Sequence, residues 1–344
     1  MRNYYLFVIF SLFVFIHYTS AAWNDTIYNG TCRFAKKYTV DDLLNHPDAR
    51  KEFAKSYLHY EGNFHQHLVG LNINSAFTID GNRINYTTGN ITSQPRKYTA
   101  ASKESLHLSV LAIGLNGLTA EGYDPLDFFH IPIEMTTQEK SKINTGDPRL
   151  DNVLVMLYRK MDTLEKFNTQ YPGYGGFVSW CGVSDTGISG PSTTGDTVPS
   201  LDNGEMIWGI YAVQYLLRTK YPDHVNLGNR YRTYFNLLAA NVNQVFLNTT
   251  VAAYSGSSVI SNVSDVPKNI QYKSDSEYFL GDPYEGELFQ LFGYLFGKWS
   301  NQTFRQEVWD TTTVRPRTYK TSFGDLTYQL GYTYSSHESW KVRD

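Results

Sequence analysis

Apolar residues recur at helical spacing along most of this chain, and polar loops separate the runs, so the pattern predicts a succession of helices. Thr39 precedes Val40-Asp41-Asp42-Leu43, an acid-rich helix start that runs towards His67. A second helix follows Ser102, with Leu106, Val110 and Ile113 on one face. A third opens at Asp147-Pro148, a capping residue followed by proline at the first helical position. It continues through Leu150, Leu154, Leu157, Met161 and Leu164. The fourth starts at Asp202, carries Ile207, Ile210, Tyr211, Val213, Tyr215 and Leu217, and stops at Tyr221-Pro222. A fifth covers 227–247, with Tyr231, Tyr234, Leu238, Val242 and Val245 in register. The sixth runs over 283–297, apolar at Leu288, Leu291, Phe292, Leu295 and Phe296, and a shorter seventh covers 304–309. Strand-like alternation is confined to short pieces such as 250–260 and 326–333.

The fourth and sixth helices are apolar nearly all round, which suits buried inner helices, whereas the third has a polar face and suits an outer layer. Alternation of inner and outer helices predicts an all-α toroid of helical hairpins, with short β pieces in its loops, rather than a four-helix bundle. No repeat is legible, and no linker is rich enough in Pro, Gly or Ser to divide two domains, so 23–344 reads as a single domain. A toroid of six hairpins needs about a dozen helices. Only seven are counted, so the expectation is that the sequence ends before its fold does.

The N-terminus adds a compartment. Arg2 supplies a basic start, Tyr4 to Ile16 form an apolar run too short to span a bilayer, and small residues follow at Ser20, Ala21 and Ala22. Residues 1–22 therefore read as a signal peptide, and the mature chain is expected to be secreted or lumenal, with no membrane association after cleavage. Asn24, Asn29, Asn85, Asn90, Asn248, Asn262 and Asn301 each begin an Asn-x-Ser/Thr triplet, as N-glycan acceptors in surface loops do. Cys32 and Cys181 are the only cysteines, so one disulfide at most is available and stability must come from a hydrophobic core. A net charge of −3 without a basic stripe argues against a nucleic-acid partner. The 27 Tyr, 20 Phe and 6 Trp make 15% of the chain, a content that either lines a carbohydrate cleft or reflects compositional bias.

Two segments concentrate chemistry. Ser200-Leu201-Asp202-Asn203-Gly204-Glu205-Met206-Ile207-Trp208 and Gly281-Asp282-Pro283-Tyr284-Glu285-Gly286-Glu287-Leu288-Phe289 each gather carboxylates in the first turn of an aromatic helix. A helix N-terminus presents unpaired N–H groups and a positive dipole end, so acids there are held in fixed geometry. The plain alternative is capping: Asp202 with Glu205, and Asp282 with Glu285, have the spacing of capping boxes. Glu287 is not explained that way, and burial among apolar neighbours would keep a glutamate protonated, as a general acid requires. Glycoside hydrolysis needs two such carboxyl groups, about 5 Å apart for retention and about 6.5–9.5 Å for inversion.

Other chemistries find little support. The Pro172 to Cys181 loop is glycine-rich without a phosphate-binding spacing, and a flexible aromatic rim of a sugar cleft fits it better. The surroundings of Cys181 lack a cysteine-protease motif order. His337-Glu338 has no second ligand at metal spacing, and neither His-Glu-x-x-His nor Gly-x-Ser-x-Gly occurs, so no metal or cofactor is expected. His107 and the other histidines read as ordinary surface or core residues.

At Val198 to Glu205, Tyr284-Glu285-Gly286-Glu287-Leu288-Phe289 and Ser335-Ser336-His337-Glu338-Ser339-Trp340, the chain resembles the eukaryotic endo-β-1,2-glucanases, glycoside hydrolases with an (α/α)6 toroid. The Phe177 to Trp180 loop fits the same comparison, and the likeness runs from about Thr99 to the C-terminus. It implies internal cleavage of a β-1,2-linked glucan by an inverting two-carboxylate mechanism without metal. It also implies Glu285 or Glu287 as the general acid, the choice between them left open. Asp202, Asn203, Glu205, Trp208, Trp180, Tyr284, His337 and Glu338 would then contact substrate. The base of such enzymes lies late in the chain and would fall beyond Asp344. One alternative is therefore a secreted glycan-binding protein without a base. Another is a different toroid glycosidase or polysaccharide lyase, though no basic residues cluster near the acids to neutralise a uronate.

Overall fold

The computed structural model describes residues 38–90, 92, 94–191, 197–273, 285–310 and 315–330, with 191, 273, 285, 287, 315–317 and 328–330 described by backbone alone. It divides into two compact units, 1–56 and 57–344. In the first, α1 (Val40–Asn45) is closed by a reciprocal capping box between Thr39 and Asp42. The single helix expected from Val40 to His67 is instead two, because Pro47 opens α2 (Pro47–Gly62) and the residue before a proline is driven out of helical backbone.

The second unit is built on α3 (Ala101–Asn116), α4 (Thr137–Lys142), α5 (Pro148–Gln170), α6 (Ser200–Lys220), α7 (Val225–Phe246), α8 (Glu285–Phe296) and α9 (Gln302–Asp310). Side-chain contacts fix their directions. Ser105 meets Glu205 near the start of both α3 and α6, and Asn116 meets Lys220 at their ends, so these two helices run parallel. Trp208 donates to the Leu288 carbonyl near the start of α8, and Tyr211 packs on Phe296 at its end, so α8 is parallel to them as well. In α5 and α7, Tyr158 contacts His224 and Asp162 and Glu165 contact Arg230, which makes that pair parallel to each other. Both oppose the first set: Glu104 and Gly114 of α3 lie against Lys160 and Val153 of α5, and Tyr211 and Leu217 of α6 lie against Phe235 and Gly228 of α7.

Parallel helices with opposed partners are the inner and outer members of helical hairpins, the helical-toroid class expected from the sequence. Glycines permit the close inner contacts. A Cβ on Gly204 would come within 2.9 Å of Phe289 Cβ, and one on Gly209 within 2.8 Å of Leu108 Cβ. Phe177, Phe246, Phe289, Tyr254, Phe235 and Phe292 then pack edge-on between α6, α7 and α8. Much of the aromatic content is therefore core.

Several boundaries follow the sequence expectation closely. Asp147 accepts from the Arg149 N–H ahead of Pro148, and Leu154, Leu157, Met161 and Leu164 are buried along α5. The face assigned to the second predicted helix is wrong. Leu106 is 66% and Ile113 37% exposed, while Leu108, Leu111 and Leu115 are buried, because α3 is enclosed by α5 and α6 rather than by a neighbour on the Leu106 side. Strands are also more widespread than expected. Short antiparallel pairs join β1 (Leu71–Asn72) to β2 (Phe77–Thr78), β7 (Leu247–Asn248) to β8 (Ala253–Tyr254), and β11 (Arg315–Thr321) to β12 (Gly324–Leu330). Two three-stranded sheets order β3 (Tyr98–Thr99), β4 (Cys181–Ser184) and β5 (Gly187–Pro191), and β6 (Thr197–Pro199), β9 (Ser257–Val259) and β10 (Gln271–Lys273), each with its central strand between the other two.

Candidate active site

Because α3, α6 and α8 are parallel, their N-termini lie at one end, which places Asp202 and Glu205 of α6 beside the first turn of α8. The capping reading fails for α6. The helix begins two residues before Asp202, its N-cap is Pro199, and no side chain caps it. Ser200 anchors the start by donating from its hydroxyl to the carbonyls of Ser255 and Gly256. Asp202 and Glu205 are thereby released for other partners.

Asp202 accepts a 3.0 Å hydrogen bond from the indole Nε1–H of Trp180. Trp180 ends the glycine-rich loop, which is not the flexible rim expected. Tyr174, Phe177, Val178 and Ser179 are wholly buried, and Gly175 and Gly176 take positive φ angles of 64° and 91° where the loop turns against α7. Trp180 alone stands out, 47% exposed, immediately before β4. Asn203 is the clamp behind it. Its amide accepts from the Val178 N–H and donates to the Val178 and Pro199 carbonyls, and the side chain is completely buried. Asn203 therefore shapes the loop and does not face substrate, contrary to its expected contact role.

Glu205 sits on the next turn of α6, half-buried, with Oε2 3.1 Å from the Ser105 hydroxyl of α3. Trp208, one turn further, spends its indole N–H on the Leu288 carbonyl at 3.1 Å and packs against Tyr211 and Phe296. Its described contacts join α6 to α8. Glu285 and Glu287 belong to the first turn of α8, beside the Gly204 to Trp208 stretch of α6. Tyr284, His337 and Glu338 lie outside the described residues.

The sequence of this chain matches the family described as Endo-beta-1,2-glucanase SGL over residues 77–344. The chain belongs to that family. In structure it is similar to the endo-beta-1,2-glucanase of Talaromyces funiculosus in complex with sophorose, with a TM-score of 0.73 and 28% identity over 90% of this chain and 60% of that one. A glutamate-to-glutamine variant of the same Talaromyces enzyme, in complex with beta-1,2-glucan, matches with a TM-score of 0.72 at 28% identity and the same coverage. This chain thus spans 60% of the length of those solved structures. No curated protein matches it.

The structure also brings together buried polar residues for which the sequence suggested no role. Beneath the first turn of α3, Glu104 is buried and fully engaged. Its Oε1 accepts from the Thr78 N–H at 2.8 Å and from the hydroxyls of Thr78 and Thr99 at 2.7 and 2.9 Å, and its Oε2 pairs with Lys160. Lys160 comes from α5, is wholly buried, and lies over the Phe77 ring at 4.4 Å. Burial depresses the Lys160 ammonium while Glu104 supports it. Next to this pair, His65 and His107 share one 3.2 Å hydrogen bond. Desolvation and the Lys160 charge lower both imidazoles, His65 to about 4. Glu104 directly precedes Ser105, whose hydroxyl meets Glu205, so the buried Glu104–Lys160 pair underlies the turn of α3 that touches the acid.

Lys160 had a legible signal, since it falls between Leu157, Met161 and Leu164 on the apolar stripe of α5. Ser105 had none. Cys181 is a buried free thiol whose ionisation burial pushes up, and it is not poised as a nucleophile. Cys32 lies outside the described residues. Among the described residues no group of three or more His, Cys, Asp or Glu is placed to hold a metal ion.

Proposed function

We propose that the protein is a secreted glycoside hydrolase that cleaves β-1,2-glucan internally, with inversion, at the common N-terminal end of α3, α6 and α8. The observation that carries this reading is the position of Asp202 and Glu205 at the start of α6, beside the helix turn that carries Glu285 and Glu287, in a chain belonging to the endo-β-1,2-glucanase SGL family. Binding of sophorose and of beta-1,2-glucan by the Talaromyces enzyme supports the same substrate class. The basic and apolar start of the sequence and its sequons support secretion.

The general acid is a glutamate of this cluster. The family resemblance points to Glu285 or Glu287, and the Ser105 contact adds Glu205 as a third candidate. Asp202 holds Trp180 as an aromatic platform for a glucosyl ring at the mouth of the site. Protonation of the glycosidic oxygen by the acid, with water delivered from the opposite face by a second carboxylate, would release the product in the opposite anomeric form.

The test is incubation of the secreted protein with linear β-1,2-, β-1,3- and β-1,4-glucans, with products separated by chromatography and the nascent anomer read by proton NMR. Short β-1,2-oligosaccharides from the first alone, released as the α-anomer, are the expected result. Binding of β-1,2-glucan by a folded protein that releases nothing would replace hydrolysis with glycan binding. Gln variants of Glu205, Glu285 and Glu287, assayed in parallel, identify the acid as the one whose loss stops turnover while glucan binding persists.

A further inference from the structure

A cavity of about 340 Å³, lined by neither Asp202 nor Glu205, is walled by Tyr272, Trp299 and Phe304 together with Gln244, Thr249 and Asn301. Its volume is at the lower end of the roughly 300–1,000 Å³ of small-molecule sites, room for one or two sugar rings. The walls are fixed. Trp299 donates from its indole N–H to the Gly293 carbonyl at 2.8 Å, and Asn243 holds the Lys298 carbonyl at 2.8 Å. Aromatic faces with polar groups at the rim suit a sugar, whose C–H faces are apolar and whose edges carry hydroxyls.

The cavity wall carries a glycan-acceptor triplet. Asn301, itself part of the wall, begins the triplet Asn301-Gln302-Thr303. Its amide oxygen accepts from the Phe304 N–H at 3.1 Å and so starts α9. That bond fixes the planar carboxamide with Nδ2 on the far side, where it donates to none of the described residues. Asn85 and Asn262 also spend their amide oxygens on their own turns, through the N–H groups of Thr87 and Ser264, but neither borders the cavity.

We infer that Asn301 carries an N-linked glycan whose first sugar lies in the Tyr272-Trp299-Phe304 cavity. In the covalent step, Nδ2 of Asn301 attacks the anomeric carbon of a lipid-diphosphate-linked oligosaccharide. The N–C bond forms as the C–O bond to the diphosphate breaks. The lipid diphosphate departs, and the Nδ2 proton passes to a base of the transferring enzyme. Packed against the aromatic wall, this glycan is shielded from solvent and from deglycosylating enzymes, whereas glycans at Asn85 and Asn262 stand free. The inference rests on the secretory reading and is independent of glucan cleavage.

The experiment is glycopeptide mass spectrometry of the full chain secreted from a eukaryotic host, followed by timed release of N-glycans from the native protein by peptide N-glycosidase. Asn301 is expected to be occupied and released about tenfold more slowly than Asn85, equivalent to about 1.4 kcal/mol of protection. Denaturation, or Tyr272→Ala, should bring the two rates together. Thr303→Ala removes the acceptor triplet but keeps the Asn301 cap, and should lower the melting temperature of the secreted protein. Modified Asn85 beside unmodified Asn301 overturns this inference alone. Absence of glycan from both overturns it together with the secretory reading, and equal native release at the two sites overturns the packing.

Discussion

The hydroxyl oxygen of Ser105 lies 3.1 Å from Oε2 of Glu205 and 2.7 Å from the Ser102 carbonyl, and a serine has one proton to give. The hydroxyl donates to Oε2 of Glu205 or to the Ser102 carbonyl one turn behind it, so it ties the first turn of α3 to the acid-bearing turn of α6. Ser105 is thus a positioning contact for Glu205.

Ser105→Ala should accordingly loosen Glu205. The loss of one hydrogen bond is worth about 1 kcal/mol, so kcat/KM on β-1,2-glucan should fall about fivefold if Glu205 acts at the site. Steady-state kinetics on that glucan tests this, and an unchanged kcat/KM assigns Ser105 a packing role only.

Trp180 provides a second prediction. Its ring is exposed while its N–H is tied to Asp202, so orientation and exposure are fixed together. Trp180→Ala should raise KM by about five- to tenfold, the worth of roughly 1–1.4 kcal/mol of stacking, with a smaller change in kcat. Asp202→Ala should loosen the indole and raise KM less. Steady-state kinetics on linear glucan decides, and an unchanged KM for Trp180→Ala removes the platform.

The Glu104–Lys160 pair concerns stability rather than turnover. Both ends are buried, so removal of one leaves an uncompensated charge in the core. Lys160→Met should cost about 3–5 kcal/mol, whereas Glu104→Gln with Lys160→Met should recover much of that loss, because nothing charged remains to be desolvated. Urea unfolding of the two single variants and the double variant tests this. Additive losses would show that the pair is not coupled.

These residues also show what the sequence could reveal. Helix positions were legible where a local signal existed, as at Asp147-Pro148 and Tyr221-Pro222, because caps and prolines act within one turn. The segment from Ser200 to Trp208 stood out as a candidate site, since acids in an apolar helix start are conspicuous, although the spacing of Asp202 and Glu205 suggested a capping box that the fold does not form. Only tertiary contact separates the two readings: Ser200 ties the helix start to Ser255 and Gly256, and Trp180 and Ser105 then meet the acids from other elements. The buried face of α3 was missed for the same reason. Leu106 and Leu108 are equally apolar, and the packing of α5 and α6, remote in sequence, decides which is covered. Asn203 looked like a substrate ligand because its partner, the Val178 backbone, is 25 residues away.

The last prediction follows from His65 and His107. Their Nε2 atoms share a single hydrogen bond, their Nδ1 atoms have no hydrogen-bond partner among the described residues, and the nearby Lys160 charge opposes a second cation. Both imidazoles are thus held neutral in the folded protein, His65 down to about pH 4. In the unfolded chain each takes up a proton near pH 6.5. A group whose folded pKa is depressed below the unfolded value makes the unfolded state the better proton binder in acid. Stability should therefore be full above about pH 7 and fall as pH drops from about 6.5 towards 4, by up to about 1.4 kcal/mol per pH unit for each histidine. The carboxylates held below their ordinary range by partners, among them Asp80, Asp147 and Glu139, lose their contribution at lower pH, so the windows separate. Urea midpoints measured at pH 7.5, 6.0 and 5.0 should fall steadily for the native sequence. They should fall less for His65→Leu with His107→Leu, which places apolar groups in the same space. A midpoint that is flat between pH 7.5 and 5.0 would mean that the two histidines accept protons within the fold.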